Sequence, residues 1–272
     1  MVLFDYSREP RSDIAFVDMK SFYASCECIS LGFDPLKTSL CVMSRVENSA
    51  GLILAATPLF KKNFGSQNVS RSYNLPFDVH TRKFNYAAAR KQGLPITADY
   101  VRFIEDAAQK TLLVPPRMNY YIQKNMEIQK IFQDFAAPDD IFPYSIDEGF
   151  LDLTSSINYF IPDQTLDRRT KLDLLAARIQ QAIWKKTGIY ASIGLSNANP
   201  LLAKLALDIE AKHTKKMRVN WSYEDVPRKV WTIPTMTDFW GIGHRTATRL
   251  KKLGIHSIYD LAHFNPDILK KE

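Results

Sequence analysis

The chain has 272 residues, 46% hydrophobic and 24% charged, which is enough for one large domain or two to three small ones. No stretch approaches the ~20 apolar residues of a membrane span, and the N-terminus is too polar for a secretory signal, so we expect a cytoplasmic protein without a membrane partner. Three cysteines make neither a disulfide framework nor a zinc set and indicate reduced thiols.

The net charge of +7 is concentrated near the C-terminus. From Lys212 to Glu272 the sequence has 12 lysines and arginines against 6 acidic residues. Such a basic module points to a polyanionic partner, with nucleic acid first. A solvated lysine-rich face would give the same composition, so charge alone leaves both interpretations open.

The first half of the chain predicts a buried strand followed by a mixed region. The strand covers residues 14–17 and ends at Asp18, and both of its faces are apolar, as in a central strand. Further elements are predicted in chain order: a helix from about Phe22, strands over 40–46 and 52–56 around a turn at 47–51, and helices over 58–65, 82–92 and 100–112.

The second half of the chain has a more regular pattern. It predicts a helix over 121–135, strands over 141–146 and 150–153 with Asp147-Glu148-Gly149 at their turn, a helix around 172–183, a strand over 189–195 and a helix around 201–209. Without the long insertion after the first strand, the order is that of the ferredoxin-like split βαβ motif, and the fold class is α+β.

Three carboxylates are predicted to converge at one edge of this sheet. Asp18 ends the first strand, and Asp147 and Glu148 lie at the turn of the neighbouring hairpin. Clustered carboxylates need a compensating cation, and Mg²⁺ prefers oxygen ligands of this kind. Two such ions can stabilise the attacking and leaving oxygens of a phosphoryl transfer. The plainer alternatives are a solvated turn and a helix N-cap, and Asp152 is expected to be structural.

A second candidate site is the hairpin Gly241-Ile242-Gly243. Its glycines allow backbone N–H groups to approach a phosphate, and the helix that follows favours an anion at its N-terminus. Arg245 and Arg249 add positive charge, as do Lys251 and Lys252. Contacts of this type position DNA without reading its sequence. A similar element is predicted from Gly254, and an ordinary helix-turn-helix packing unit is the alternative.

Four segments, in this order, resemble the signatures of Y-family (translesion) DNA polymerases, and the ILAATPLFKKNFG segment with the long 66–115 region resembles the UmuC-like group of Gram-positive bacteria. The four segments are DMKSFYASCE at 18–27, YSIDEGFLDLT at 144–154, SIGLSNANPLLAKLALDIEAK at 192–212 and FWGIGHRTATRLKKLGIHSIYDLA at 239–262. The resemblance implies a ferredoxin-like palm over 1–23 and 116–211, an inserted fingers domain over 24–115 and a helical (helix-hairpin-helix) thumb over 212–272. The chain ends inside the expected thumb, so the little finger is expected to be absent.

The resemblance also implies residue roles. Asp18, Asp147 and Glu148 match the metal-binding carboxylates, with the carbonyl of Met19 completing one shell. The other matching positions are Tyr23 as a steric gate against a ribose 2′-OH, Phe22 beside the incoming sugar, and Lys62 and Lys204 on the triphosphate. Core packing is the alternative for both aromatic residues. Leu59 departs from the family pattern, which often has a polar triphosphate contact there.

The function implied by the resemblance is template-directed DNA synthesis. A primer 3′-OH would attack the α-phosphate of a deoxynucleoside triphosphate with two Mg²⁺ ions bound, on primer–template DNA. The resemblance also raises a sliding clamp and a UmuD-like protein as partners, for which the sequence gives no signal. The alternatives are a truncated, non-catalytic DNA-binding remnant and a nucleotide cyclase, and a cyclase would not need the basic thumb.

Overall fold

The computed structural model describes residues 5–45, 50–65 and 70–270. The chain forms two compact units. The first unit comprises Met1–Asp18, Ile131–Ala182 and Ala191–Glu272, and the second comprises Met19–Lys130 and Ile183–Tyr190. In the part of the chain that the structure describes, no helix is long and apolar enough to cross a membrane.

The strands are β1 Ile14–Met19, β2 Leu40–Met43, β3 Ile53–Ala56, β4 Leu112–Val114, β5 Ile141–Pro143, β6 Glu148–Asp152, β7 Ala191–Ser196 and β8 Arg218–Asn220. The α-helices are α1 Phe22–Ser30, α2 Pro58–Phe64, α3 Tyr86–Gln92, α4 Ala98–Gln109, α5 Met118–Phe132, α6 Ile157–Phe160, α7 Arg168–Thr187, α8 Pro200–Ile209, α9 His244–Lys252, α10 Ile258–His263 and α11 Pro266–Leu269.

The first unit is built on a five-stranded sheet in the order β5-β6-β1-β7-β8. Strand β6 runs antiparallel to both β1 and β5, and β8 runs parallel to β7. In chain order, β1, α5, β5, β6, α7 and β7 follow the split βαβ pattern, and the four strands lie in the ferredoxin-like order β5-β6-β1-β7. The predicted ferredoxin-like strand order is therefore confirmed. Strand β8 is an addition that the sequence pattern did not indicate.

The second unit contains a three-stranded sheet in the order β3-β2-β4. Strand β2 pairs antiparallel with β3 and parallel with β4. The core of this unit is mainly aromatic and aliphatic, with buried Phe60, Phe77, Leu75 and Ile104 among its members.

Two predicted helices in this unit had wrong bounds. The helix predicted over 100–112 ends at Gln109, because its last predicted residue, Leu112, begins strand β4 and pairs with β2. The helix predicted over 82–92 begins only at Tyr86, because the Asn85 side chain caps it by accepting a hydrogen bond from the backbone N–H of Ala88, and Arg82 has a left-handed φ of 59°. The strand predicted over 40–46 corresponds to β2, which ends at Met43. Residues 46–49, at the end of that predicted strand and in the predicted turn after it, lie outside the described residues.

The three cysteines confirm the expectation of free thiols. Cys26 and Cys28 lie on α1, Cys41 lies on β2, and all three are fully buried and unbridged. Burial raises the pKa of each thiol to about 12.

Strand β7 and helix α8 approach most closely at Gly194. A Cβ atom at this position would lie 2.0 Å from the carbonyl oxygen of Ala203 and 2.4 Å from the backbone nitrogen of Leu207. Both atoms belong to the backbone of α8, so no side-chain rotation can relieve the clash. The absence of a side chain at residue 194 is therefore what lets α8 lie on the sheet.

We predict that Gly194→Ala lowers the stability of the protein, because α8 has to move away from β7. Overpacking of this kind costs about 1–3 kcal/mol, which corresponds to a fall in Tm of roughly 3–10 °C by thermal unfolding. Gly243→Ala is the matched control, because a Cβ there meets no atom within 4 Å. A Tm for Gly194→Ala equal to that of Gly243→Ala would contradict the prediction.

Candidate active site

Two of the three predicted carboxylates face each other across adjacent strands. Asp18 on β1 pairs in register with Glu148 on β6. Cross-strand neighbours have their Cβ atoms about 5 Å apart, which brings the two carboxyl groups close enough to influence each other's pKa. Glu148 was predicted in the turn but begins β6, because its pairing with Asp18 extends the strand. The predicted convergence of these two acids is therefore present within the first unit.

The third carboxylate, Asp147, lies at the end of the turn between β5 and β6. Its Oδ1 accepts a hydrogen bond of 2.9 Å from the hydroxyl of Ser145. The same hydroxyl oxygen accepts a hydrogen bond from the backbone N–H of Glu148 at 3.1 Å. Ser145 thus fixes the conformation of the turn and holds the Asp147 carboxylate beside Glu148.

Two lysines neutralise this acidic edge. The Nζ of Lys204 on α8 lies 2.8 Å from Oε1 of Glu148 and 3.1 Å from Oδ2 of Asp208. The Nζ of Lys212, just beyond α8, lies 3.0 Å from Oδ2 of Asp18, 2.9 Å from Oδ1 of Asp208 and 3.7 Å from Oε1 of Glu148. We refer to Asp18, Asp147, Glu148, Lys204, Asp208 and Lys212 as the acidic-edge cluster.

The sequence analysis selected Lys204 but missed Asp208 and Lys212. These three residues are spaced by four, so a helix and its continuation present them on one face as alternating charges. That spacing was the available signal. The Lys204 side chain is only 7% exposed and its Nζ also lies 5.0 Å from the centre of the Phe16 ring, so it is a buried cation rather than part of an open basic face.

The protonation of the cluster reflects its crowding. Burial raises the pKa of Asp18 to about 7, and the neighbouring Glu148 carboxylate adds to the rise. Burial also raises the pKa of Asp147, as does the charge of Glu148. For Glu148, burial acts in the same direction, but the hydrogen bonds from Asp18 and Lys204 outweigh it and lower the pKa. The contact between the two carboxyl groups therefore shifts their pKa values in opposite directions, up for Asp18 and down for Glu148.

The pKa of Lys212 shows the opposite balance. Burial alone would lower it, but the charges of Asp18 and Asp208 outweigh burial and raise it. Lys212 therefore remains an ammonium ion throughout the neutral range and serves as the internal counter-charge of Asp18.

The donor types of the cluster fit a hard divalent cation, because all the acidic side chains offer carboxylate oxygens. Burial is the main cause of the raised pKa values of Asp18 and Asp147, and a bound cation would favour the charged form of both carboxyl groups. Within residues 5–45, 50–65 and 70–270, no three His, Cys, Asp or Glu side chains are arranged as a ready-made metal site. Asp18 is instead paired with Lys212, and Asp147 accepts a hydrogen bond from Ser145.

The remaining predicted nucleotide-binding residues belong to the second unit. Phe22 and Tyr23 begin α1, where Phe22 is buried and the Tyr23 ring stacks on that of Tyr121 at 4.4 Å between centroids. Lys62 lies exposed on α2. Met19, whose carbonyl was predicted as a metal ligand, is the last residue of β1.

The predicted hairpin at 241–243 lies in the first unit, immediately before α9. Gly241 has a left-handed φ of 88°, and Gly243 is the N-cap residue of α9. Arg245 and Arg249 are exposed on α9, opposite its buried Ala247 and Leu250. This arrangement places two cations in the first two turns after the glycine hairpin.

The predicted second element at Gly254 coincides with a turn that leads into α10. Gly254 has a φ of 79°, and α10 begins with a capping box in which Ser257 and Asp260 each accept a hydrogen bond from the other's backbone N–H.

Comparison with known proteins gives one matching family and several similar proteins named for DNA repair. Residues 78–208 match the impB/mucB/samB family. The chain is 33% identical over 270 residues to the putative UV-damage repair protein UvrX of Bacillus subtilis, covering 99% of this chain and 54% of that protein. It is 32% identical over 143 residues to the DNA repair protein homolog YozK of the same species, covering 53% of this chain and 98% of that protein.

The solved structures agree with the fold. A Y-family DNA polymerase chimera of Dbh and Dpo4 segments superposes with a TM-score of 0.65 at 22% identity, covering 95% of this chain and 62% of that one. The chain spans about half the length of UvrX. Together with the match to YozK, which this chain covers almost entirely, the family match establishes that the chain belongs to the impB/mucB/samB family.

Proposed function

We propose that this chain is the catalytic part of a translesion-type DNA polymerase that adds deoxynucleotides to a primer 3′-OH on a DNA template. The observation that carries the proposal is the meeting of Asp18 and Glu148 across β1 and β6, with Asp147 beside them. Membership of the family supports it. The proposed setting is DNA damage tolerance in the cytoplasm, with the palm, fingers and thumb divided as the sequence analysis expects.

In this proposal the carboxylates of Asp18, Asp147 and Glu148 and the backbone carbonyl of Met19 would hold two Mg²⁺ ions. Bound Mg²⁺ would supply Lewis-acid stabilisation of the negative charge on the attacking and leaving oxygens. Asp18, Asp147 and Glu148 provide the carboxylate oxygens, and Lys204 and Lys62 provide positive charge to the triphosphate. The main contribution of the protein is to position and neutralise these groups.

The same proposal assigns roles to the sugar and the DNA. Tyr23 acts as the steric gate against a 2′-OH, and Phe22 packs behind the sugar. Gly241 and Gly243 bring backbone N–H groups to the phosphates of the primer–template, and Arg245 and Arg249 add charge. A sliding clamp and a UmuD-like protein are further candidate partners, on the family resemblance alone.

The decisive test is single-nucleotide primer extension by residues 1–272 at low salt with Mg²⁺. We expect template-directed addition, and a fall of at least about a hundredfold in Asp147→Ala/Glu148→Ala, because the carboxylates that would hold the metal ions are removed. Asp152→Ala is the control, since this carboxylate lies on the same strand but bonds to Thr154 outside the cluster.

Each alternative has its own outcome in this assay. A folded chain that binds primer–template but adds no nucleotide would make the non-catalytic DNA-binding remnant the better account. Pyrophosphate release without a primer, together with a cyclic nucleotide product, would favour the cyclase.

A second prediction concerns the pH dependence of Mg²⁺ binding. The raised pKa of Asp18 means that its protonated form stabilises the metal-free protein; this contribution is complete below about pH 3.8 and is lost as the pH rises through about 7. Mg²⁺ competes with that proton, so the Mg²⁺-induced rise in Tm should grow between pH 6 and pH 8.

The magnitude of this rise follows from mass action. At Mg²⁺ a hundred times above its Kd, the free energy of unfolding increases by about 2.7 kcal/mol, or roughly 5–10 °C in Tm. Asp18→Asn should remove most of the rise and its pH dependence. A Mg²⁺ effect in Asp18→Asn equal to that of the unsubstituted protein would count against the metal site.

A third prediction concerns the thumb. If Arg245 and Arg249 contact phosphates, the slope of log Kd against log salt for primer–template binding should fall by about 1 for each arginine replaced by alanine. Arg102→Ala, at an exposed arginine on α4, should leave the slope unchanged. Fluorescence anisotropy measures the slope, and equal slopes for all three variants would remove the hairpin from the DNA interface.

A further inference from the structure

A buried carboxylate paired with a half-exposed arginine lies close to the proposed steric gate. Glu27 on α1 has a side chain that is only 5% exposed. Arg117, the residue before α5, donates to both of its carboxylate oxygens, from Nε at 3.0 and 3.1 Å and from Nη2 at 2.7 Å. In the second unit, one edge of a guanidinium group therefore donates hydrogen bonds to both oxygens of a buried carboxylate.

The same carboxylate fixes a tyrosine. The hydroxyl of Tyr121 donates a hydrogen bond of 2.8 Å to Oε1 of Glu27, and Tyr121 is fully buried. Its ring lies nearly parallel to that of Tyr23, with an interplanar angle of 14° and centroids 4.4 Å apart. Contacts thus run without interruption from Arg117 through Glu27 and Tyr121 to the ring of Tyr23.

Helical spacing produces this arrangement. Tyr23 and Glu27 are four residues apart on α1 and share one face, and Arg117 and Tyr121 are four residues apart at the start of α5. Each helix therefore offers one aromatic ring and one charge to the other. We refer to Glu27, Arg117 and Tyr121 as the gate support.

The gate support is a costly way to join two helices. A buried carboxylate loses its hydration, and apolar residues of similar volume often stabilise a protein as well as a buried ion pair does. This arrangement restricts the orientation of the side chains, because hydrogen bonds from a guanidinium group and a phenol to a carboxylate form only over a narrow range of distances and angles. Burial and the hydrogen bond to Glu27 raise the pKa of Tyr121, so its hydroxyl stays protonated and remains a donor.

We propose that Glu27, Arg117 and Tyr121 are positioning residues that hold the Tyr23 ring in one orientation and thereby set the discrimination against ribonucleotides. The proposal rests on the proposed function, in which Tyr23 is the steric gate. A ring excludes a 2′-OH only if it cannot tilt or retreat when the larger sugar enters. Stacking on Tyr121 prevents the Tyr23 ring from moving toward that side. The hydrogen bond to Glu27 in turn holds the Tyr121 ring in place.

The test compares deoxyribonucleotide and ribonucleotide insertion in primer extension. Tyr121→Leu removes the stack, and Glu27→Gln keeps the size of the side chain but removes its charge. We expect the ratio of kcat/KM for deoxyribonucleotides over ribonucleotides to fall at least about tenfold in Tyr121→Leu and several-fold in Glu27→Gln, since small misplacements at a reacting centre have effects of this order. Tyr121→Phe keeps the ring and should retain most of the ratio.

A matched control separates positioning from general stability. Asp13 and Arg168 form a second ion pair, in the first unit, with side chains 1% and 45% exposed against 5% and 49% for Glu27 and Arg117. Asp13→Asn should destabilise the protein comparably and lower both insertion rates together. If Asp13→Asn changes the sugar ratio as much as Glu27→Gln does, the effect is a loss of stability and the proposal is overturned.

Tyr23→Ala distinguishes this inference from the proposed function. If Tyr23→Ala leaves the ratio intact, the gate assignment fails and the support has nothing to position. If Tyr23→Ala lowers the ratio and Tyr121→Leu does not, the gate stands and the support is overturned.

Crystal structures of Tyr121→Leu and Glu27→Gln add a measurement that does not depend on activity. The Tyr23 ring should leave its present orientation in both, and an unmoved ring in both would overturn the proposal.

Discussion

The pairing of β1 with β6 is the constraint on which the rest of the first unit depends. It sets Asp18 directly opposite Glu148, and two like charges at this spacing in a half-buried edge are unfavourable without nearby cations. Helix α8 supplies Lys204, and the turn after it supplies Lys212. That helix can lie close enough to the sheet only because residue 194 is a glycine. Sheet register, helix position and charge balance are thus one linked arrangement.

The second unit solves a related problem with different chemistry. Glu27 is a single buried carboxylate, and one arginine and one tyrosine satisfy it completely enough that it needs no further cation. At the acidic edge, by contrast, lysine point charges face several carboxylates and leave Asp18 with a raised pKa. A planar guanidinium fixes geometry, whereas ammonium groups can exchange partners. The first arrangement suits a rigid support and the second suits a site that exchanges cations.

The sequence predicted those features that depend on local pattern. The ferredoxin-like strand order followed from periodicity, and the meeting of Asp18 with Glu148 followed from their places at strand ends. Features set by partners distant in sequence were not predicted. Leu112 was predicted as the end of a helix but begins β4, which pairs with β2 about 70 residues earlier in the chain. The contacts of Lys212 with Asp18 and of Arg117 with Glu27 likewise join residues that are distant in the sequence. The only local signal was that Lys212 lies four residues after Asp208, and Arg117 four residues before Tyr121.

The buried cysteines of α1 have a consequence for how this helix can be observed. Thiolates, not thiols, react with alkylating reagents, and Cys26 and Cys28 are fully buried with pKa values raised to about 12. Each becomes reactive only when α1 leaves its neighbours. Because Tyr23 and Glu27 lie on the same helix, the rate of alkylation at these two sulfur atoms would report local opening of the segment that carries the proposed gate. Cys26 and Cys28 are therefore native chemical probes of the local opening of α1.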